Sequence, residues 1–352
     1  MRPSFHPRLV NPRFADPGVY IPFFFEKCAI LFDAGELDRL SNRDILKTDH
    51  VFVSHTHMDH FSGFDRCLRL CLGRDKILHV YGPDGFLRNT EGKLAAYSWN
   101  LVGQYENSFI IRAAEISAEH IRIQDYPCRN RFIPESDVRI LPFDGLLVQR
   151  PSFSVSAAIL DHGIPCLAFC LRENFHVNII REKLAQLHLN PGPWLQDFKQ
   201  ALFENRPLES LFHIPDAEQP RTFVLGELAE NIALISAGQK IGYVTDAVFS
   251  PENIRKITEL IKDADHLFIE AAFLDADSDR AFQKYHLTAR QAGFLAGRAC
   301  AGQFTLFHFS PRYEGQEYML ENEAREAYEK EIARISKGGS DDAIQDEAHC
   351  IS

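Results

Sequence analysis

The chain has little of what nucleic-acid and membrane proteins display most plainly. Its 38 Lys and Arg are outnumbered by 49 Asp and Glu across 352 residues, a net charge of -11 with His neutral. That balance excludes a broad basic surface, because phosphate binding is driven largely by Lys and Arg, although a local basic strip stays compatible with it. No segment approaches ~18 uninterrupted apolar residues, so no membrane-spanning helix is expected. Met1 to Arg8 lacks the apolar run of a secretory signal, and a cytoplasmic protein without membrane partners is the expectation. The 8 cysteines are scattered; Cys67/Cys71 and Cys166/Cys170 are spaced four apart, and neither pair is a CxxC knuckle or part of a secreted disulfide framework. Buried free thiols are the reading that remains. No repeat of 20 to 50 residues is evident.

What is present is ordinary for a soluble globular protein: 45% hydrophobic and 25% charged residues, with 28 Phe pointing to aromatic-rich layers. Short apolar runs from Val19 to Phe25 and from Cys28 to Phe32 give a β-rich start. Helical patterns follow over 65–72 and 90–105, and β-runs over 77–83, 108–113, 138–148 and 153–160. Residues 172–220 break the pattern. Two helical segments flank Asn190-Pro191-Gly192-Pro193, no clean β-run is expected, and the segment reads as an inserted arm or lid. Its charge is acidic on balance, since Arg172, Arg181, Lys183, Lys199 and Arg206 face Glu173, Glu182, Asp197, Glu204, Glu209, Asp216 and Glu218.

After Arg221 the text returns to alternating strand and helix. Lys240 to Thr245 is β, Ser250-Pro251-Glu252 opens a helix to about Lys262, and His266 to Glu270 is β. Thr288-Ala289-Arg290-Gln291 is a capping box, and Gln303 to Phe307 is the last strand. Glu321 to Ser336 reads as a charged surface helix. A single domain over 1–337, with the insertion and a loose acidic tail over 338–352, is the organisation expected.

The chemistry concentrates in His55-Thr56-His57-Met58-Asp59-His60, an HxHxDH motif directly after the apolar run His50 to Val53. Imidazole nitrogen and carboxylate oxygen suit zinc, and a surface-histidine reading does not account for four ligand-type side chains in one turn. A second cation some ~3.5 to 4 Å from the first needs ligands of its own and a shared bridge. Three further ligand types stand at the ends of β-runs: His162 after Asp161, Asp246 after Thr245, and His308 after Phe307. Any one alone is more often a satisfied structural residue. Repeating one placement, the set is able to converge on one edge of the layers.

HxHxDH followed by strand-end His, Asp and His resembles the metallo-β-lactamase superfamily of dinuclear metal hydrolases. The finer text is similar to its ribonuclease Z branch, which trims the 3′ side of precursor tRNA. His162-Gly163-Ile164-Pro165, Asn190 to Pro193, Tyr243 to Asp246, Phe268 to Phe273, His286-Leu287-Thr288 and His308 to Tyr313 carry that resemblance in the family's order, over most of the chain. It implies an αββα sandwich of α/β class. It also implies that His55, His57 and His162 hold one zinc, that Asp59, His60 and His308 hold the other, and that Asp246 bridges them. Manganese or iron suits the same ligands.

In that picture a metal-bridging hydroxide is the nucleophile, Asp59 orients it or takes its proton, and His286 held by Glu270 protonates the departing 3′ oxygen. By its residue type Arg312 either pairs with a phosphate or caps the end of the sheet. The family's pattern also implies a homodimer. Three departures stand out: Asn11 to Gly18 replaces the family's glycine-rich first loop, Ile269 stands where His is frequent, and Leu287 where Ser is frequent. The expected activity is phosphodiester hydrolysis at tRNA 3′ ends. A small-molecule hydrolase of a lactone, thioester or cyclic phosphodiester is the second reading, and a non-catalytic or RNA-binding scaffold the third.

Overall fold

A computed structural model describes residues 4–24, 28–215 and 220–337. Phe25, Asp216, Glu218 and the acidic tail over 338–352 lie outside the described residues.

The first sheet is built in chain order from β1 (Arg8–Leu9), β2 (Val19–Pro22), β3 (Ala29–Phe32), β4 (Thr48–Phe52), β5 (Lys76–Pro83), β6 (Phe109–Ile116), β7 (His120–Pro127) and β8 (Arg139–Pro142). β3 to β6 run parallel at its centre, and the outer pairs are antiparallel. The β-run expected over 138–148 is two strands. Asp144 accepts the Leu146 N–H, Gly145 takes φ +95°, and the chain crosses to the second sheet as β9 (Leu146–Gln149). β10 (Phe153–Asp161) and β11 (Pro165–Glu173) form a hairpin beside it.

The chain then leaves the sandwich for β12 (His176–Ile179), β13 (Leu211–Ile214), β14 (Arg221–Val224) and β15 (Ala233–Ser236), and returns for β16 (Lys240–Val244), β17 (His266–Glu270) and β18 (Phe304–Phe307). The second sheet has the order β18-β17-β16-β11-β10-β9.

Period-two alternation assigns each side chain to a layer. Ile30, Phe32, Phe52, Leu167, Phe169, Ile241, Tyr243, Phe268 and Phe307 fill the space between the sheets. Their strand neighbours Leu31, Val51 and Val53 face helices on one outside, and Val244, Leu267, Ile269 and Leu306 face helices on the other. The result is the αββα sandwich. The abundant Phe form its middle: Phe32 stacks on Phe169 of the opposite sheet at 5.4 Å and 10°, and Phe52 meets the same ring at 5.5 Å. Ile269 is apolar because it points into the helical layer, away from the site.

Caps hold where local chemistry dictated them. Ser250 accepts the Asn253 N–H at the start of Pro251–Ile261, and both halves of the Thr288/Gln291 box are made. Two helices differ from expectation. In place of the helix expected over 90–105 there is a helix over Phe86–Ala95 and then a short 3-10 turn over Val102–Gln104, and the last helix starts at Glu317 rather than 321.

The insertion also differs. Beside helices Arg181–Gln186 and Trp194–Phe203 it contains β12 and β13, four-residue strands too short and too polar on one face to read as β-runs. It has its own core of Trp194, Phe198, Phe212, Ile214, Leu225, Leu228 and Ile232, and so extends beyond 220. β10 and β11 pair from Asp161↔Pro165 at one end to Phe153↔Glu173 at the other. The insertion departs from the Glu173 end, about 27 Å along the strands from the Asp161 end at ~3.4 Å per residue.

Candidate metal centre

Every ligand type named from sequence lies just beyond the C-terminal end of a strand, on the Asp161 edge of the sandwich. β4 delivers His55, His57, Asp59 and His60; the β10–β11 turn delivers His162; β16 delivers Asp246; β18 delivers His308. Three groups result, each with ligand atoms within 4.8 Å of one another: His55, His57, His162 and Asp246; Asp59, His60 and His308; and Asp246, Glu270, His286 and His308. Asp246 stands between the first two. Its Oδ2 is 3.7 Å from His55 Nε2 and 3.5 Å from both His60 Nε2 and His162 Nε2, and its Oδ1 is 2.8 Å from His308 Nδ1. Asp59 Oδ2 lies 3.3 Å from His308 Nε2 and 3.6 Å from His60 Nε2.

The sequence shapes this loop locally. His57 caps the short helix Met58–Phe61 with its backbone alone, leaving the imidazole free. That helix sits on the turn after β3, where a Cβ at Gly35 would come within 2.3 Å of the Asp59 carbonyl, so only glycine allows the approach. His308 itself takes φ +59°, an uncommon conformation for a non-glycine residue and one that clusters at functional sites.

Asp33, at the end of β3, holds the ligands from behind. Its buried carboxylate accepts the Ser54 N–H at 2.6 Å, the Ser54 hydroxyl at 2.8 Å and the Tyr243 hydroxyl at 2.7 Å, and lies 2.8 Å from His60 Nδ1. His162 Nδ1 meets the Tyr285 carbonyl at 2.8 Å, and His55 Nδ1 meets Ser54 Oγ at 3.1 Å. With the Nδ1 side committed, the Nε2 side faces the cluster, the arrangement that orients metal-ligating histidines. Asp33, Ser54, Tyr243 and Tyr285 were not among the sequence candidates. Asp33 carried the signal, since it shares the strand-end placement of Asp246, but Asp33-Ala34-Gly35 also reads as a plain turn.

The donor set fits a cation. His55 Nε2 and His60 Nε2 are buried and make no hydrogen bond, an expensive state for polar nitrogen unless something else meets the lone pair. Burial, then the charge of His60, pushes the His55 pKa down to about 2; His57 is also lowered, chiefly by burial. Both are therefore neutral donors. Burial would lower His60 too, but Asp246 and Asp33 on either side raise it to about 10. Asp246 is buried, which raises a carboxyl, yet His308 and His60 hold it well below the carboxylate range. A pair of carboxylates at this depth demands positive charge, from protons on His60 and His308 or from metal ions.

His286 belongs to the third group, its Nδ1 3.9 Å from Asp246 Oδ2, and stands beside the other two. Its ring centre is 5.3 Å from that of His162 and 5.4 Å from that of His308, and its side chain is 19% exposed. Nδ1 is 2.9 Å from Glu270 Oε2; Glu270 is fully buried and its Oε1 accepts the N–H groups of Ala247 and Leu287. Burial opposes protonation of His286, but Glu270 and then Asp246 raise its pKa above the ordinary value. Leu287 contributes only its backbone here, its side chain being buried in the helical layer. Arg312 pairs with Asp277 at 3.2 Å, lies over the rings of Phe273 and Tyr313, and shares Asp277 with the Tyr313 hydroxyl.

Fold and site define a metal-dependent hydrolase of the metallo-β-lactamase fold. Among solved structures, the metallo-β-lactamase fold protein YhfI from Bacillus subtilis aligns with TM-score 0.53 at 14% identity over 92% of this chain and 94% of that one. The short form of human tRNase Z aligns with TM-score 0.51 at 18% identity over 88% and 92%. No family model matches the chain. In sequence, the ribonuclease Z of Deinococcus radiodurans is 32% identical over 287 residues, 81% of this chain and 83% of that protein. Those of Bacillus thuringiensis and Nanoarchaeum equitans are 28% identical over 309 residues (85% and 84%) and 25% over 292 (81% and 76%). The chain belongs to the ribonuclease Z family.

Proposed function

We propose that the protein is a dizinc phosphodiesterase that removes the 3′ trailer of precursor tRNA. The observation that carries this reading is His286, a proton carrier fixed by Glu270 and flanked by His162 of the first ligand group and His308 of the second. Hydrolysis of a good ester needs no such group. A ribose 3′ oxygen leaves poorly without a proton, and a positioned donor contributes about 10²- to 10⁴-fold.

His55, His57, His162 and Asp246 would hold one ion, and Asp59, His60, His308 and the same Asp246 the other. When bound, the pair supplies a nucleophile from water at neutral pH and offsets the charge gathered on phosphorus. Asp59, partly exposed at the mouth of the site, orients the attacking water and accepts its proton. His286 Nε2 delivers a proton to the departing 3′ oxygen, and Glu270 holds the ring in the orientation that leaves Nε2 free.

The insertion acts as an arm and not as a lid, a reading supported by its departure from the end of the sandwich away from the ligands. It belongs with the sandwich to one domain over 1–337. Its acidic balance favours the second reading, hydrolysis of a small lactone, thioester or cyclic phosphodiester, because a long grip on RNA is normally basic. Among the described residues no helix is long and apolar enough to cross a membrane, and a cytoplasmic homodimer is proposed on family membership alone.

Trailer-bearing precursor tRNA, bis(p-nitrophenyl) phosphate and a lactone panel, assayed on one zinc-loaded preparation, decide between the two readings. Trailer removal with the highest kcat/KM supports the ribonuclease. Intact RNA beside rapid turnover of a small ester would sink it.

A further inference from the structure

Around the ligand edge the sandwich exposes apolar side chains that the proposed chemistry does not use. Tyr285 is 48% exposed, Ile164 40% and Met58 84%. Each adjoins a residue of the site: Tyr285 precedes His286, Ile164 lies two residues after His162, and Met58 follows His57. Tyr285 is the best placed of them. Its carbonyl holds His162, and its ring centre is 6.2 Å from that of His162.

The ring has also been given room. Gly163 turns with φ +71°, and a Cβ there would come within 3.1 Å of the Tyr285 ring. Tyr285 itself takes φ +61°, strained for a bulky aromatic residue, when asparagine or glycine would adopt it freely. Strain that keeps a half-exposed ring beside a ligand edge needs a reason, and holding the His162 carbonyl contact is not one, since any residue has a carbonyl. Arg280 and Lys284, on the same segment, are exposed and able to meet flanking phosphates.

Resting on the ribonuclease reading, we propose that Tyr285 is a positioning residue whose ring stacks on the base of the nucleotide that carries the departing 3′ oxygen. Tyr285 adjoins His286, the donor to that oxygen, which places the ring on the retained side of the cut and not on the trailer side. Every base has a π face, so such a platform tolerates any sequence while fixing the phosphate's depth in the site.

The test uses zinc-loaded full-length protein with Tyr285→Phe, which keeps the ring, and Tyr285→Asn, which removes it but tolerates the left-handed backbone. Each variant is assayed on trailer RNA that is intact, abasic at the last retained nucleotide, or abasic at the first trailer nucleotide. Stacking on an aromatic ring predicts that the retained-side abasic substrate raises KM about 5- to 150-fold for wild type and Tyr285→Phe, and hardly at all for Tyr285→Asn. As a second readout, 2-aminopurine at the retained position is quenched in complexes carrying Tyr or Phe and bright with Asn. An equal abasic penalty in all three proteins, a penalty found only on the trailer side, or unquenched fluorescence in wild type overturns the inference. Wild type that leaves unmodified RNA uncut removes the ribonuclease reading itself, and this inference with it.

Discussion

The carboxylate of Asp33 lies 2.8 Å from His60 Nδ1, with both side chains fully buried. The same carboxylate takes two hydrogen bonds from Ser54 and one from Tyr243, so it locks the ring whose Nε2 faces the ligand cluster. Partners of this kind contribute about 10- to 100-fold in metal affinity. Asp33→Asn, which keeps the shape but removes the charge, is expected to weaken zinc by that factor in competition with a chromophoric chelator. Unchanged affinity would show that Asp33 only packs.

His286 offers a sharper division between binding and chemistry. His286→Ala is expected to retain its zinc and to lose about 10²- to 10⁴-fold in kcat on trailer RNA. On bis(p-nitrophenyl) phosphate the loss should be far smaller, because p-nitrophenolate departs without a proton. Equal losses on both substrates would mean that His286 supports the ligands and donates no proton.

The convergence of the candidate ligands was legible because one rule, a metal-binding side chain at the end of a β-run, picks out His162, Asp246 and His308 to join HxHxDH. Asp33 obeys the same rule and was hidden by the turn-like Ala34-Gly35 after it. Tyr285 was hidden differently: what it offers His162 is a carbonyl, which no side-chain pattern encodes. The sandwich was expected from the family resemblance, and alternation in its long strands sorts the side chains between its layers, whereas β12 and β13, four residues each, are specified by pairing inside the insertion and not by their own pattern. The end from which the insertion departs depends on the nine-residue register of β10 with β11, a long-range fact that composition does not contain.

Because the insertion has a core of its own, damage there should stay there. Trp194→Ala, at its centre, is expected to cost about 3–5 kcal/mol and to open the segment to proteolysis. Zinc content and bis(p-nitrophenyl) phosphate turnover should persist while KM for trailer RNA rises. Loss of zinc in this variant would contradict the separation of insertion from site.

Acid stability is set partly at the other end of the sandwich. His50 and His79 stack at 4.7 Å, and burial, helped at His50 by the charges of His79 and Arg150 and at His79 by those of Arg112 and Arg150, pushes their pKa values down to about 3 and about 4. Both values lie below the ~6.5 of an unfolded chain. The unfolded state therefore binds more protons between those limits, so stability is complete above about pH 6.5 and is lost as pH falls through the window. Urea unfolding should show a smaller loss between pH 7.5 and 5 for His50→Leu than for wild type. Identical losses would exclude His50 as a contributor.

If two ions, held by two ligand groups sharing Asp246, cut RNA, then zinc titrated into metal-free protein should restore trailer removal from a precursor tRNA. Cleavage is expected to saturate at two ions per chain and to appear only as the second site fills. Full cleavage at one ion, or two bound ions and no cleavage, would contradict two-ion cleavage.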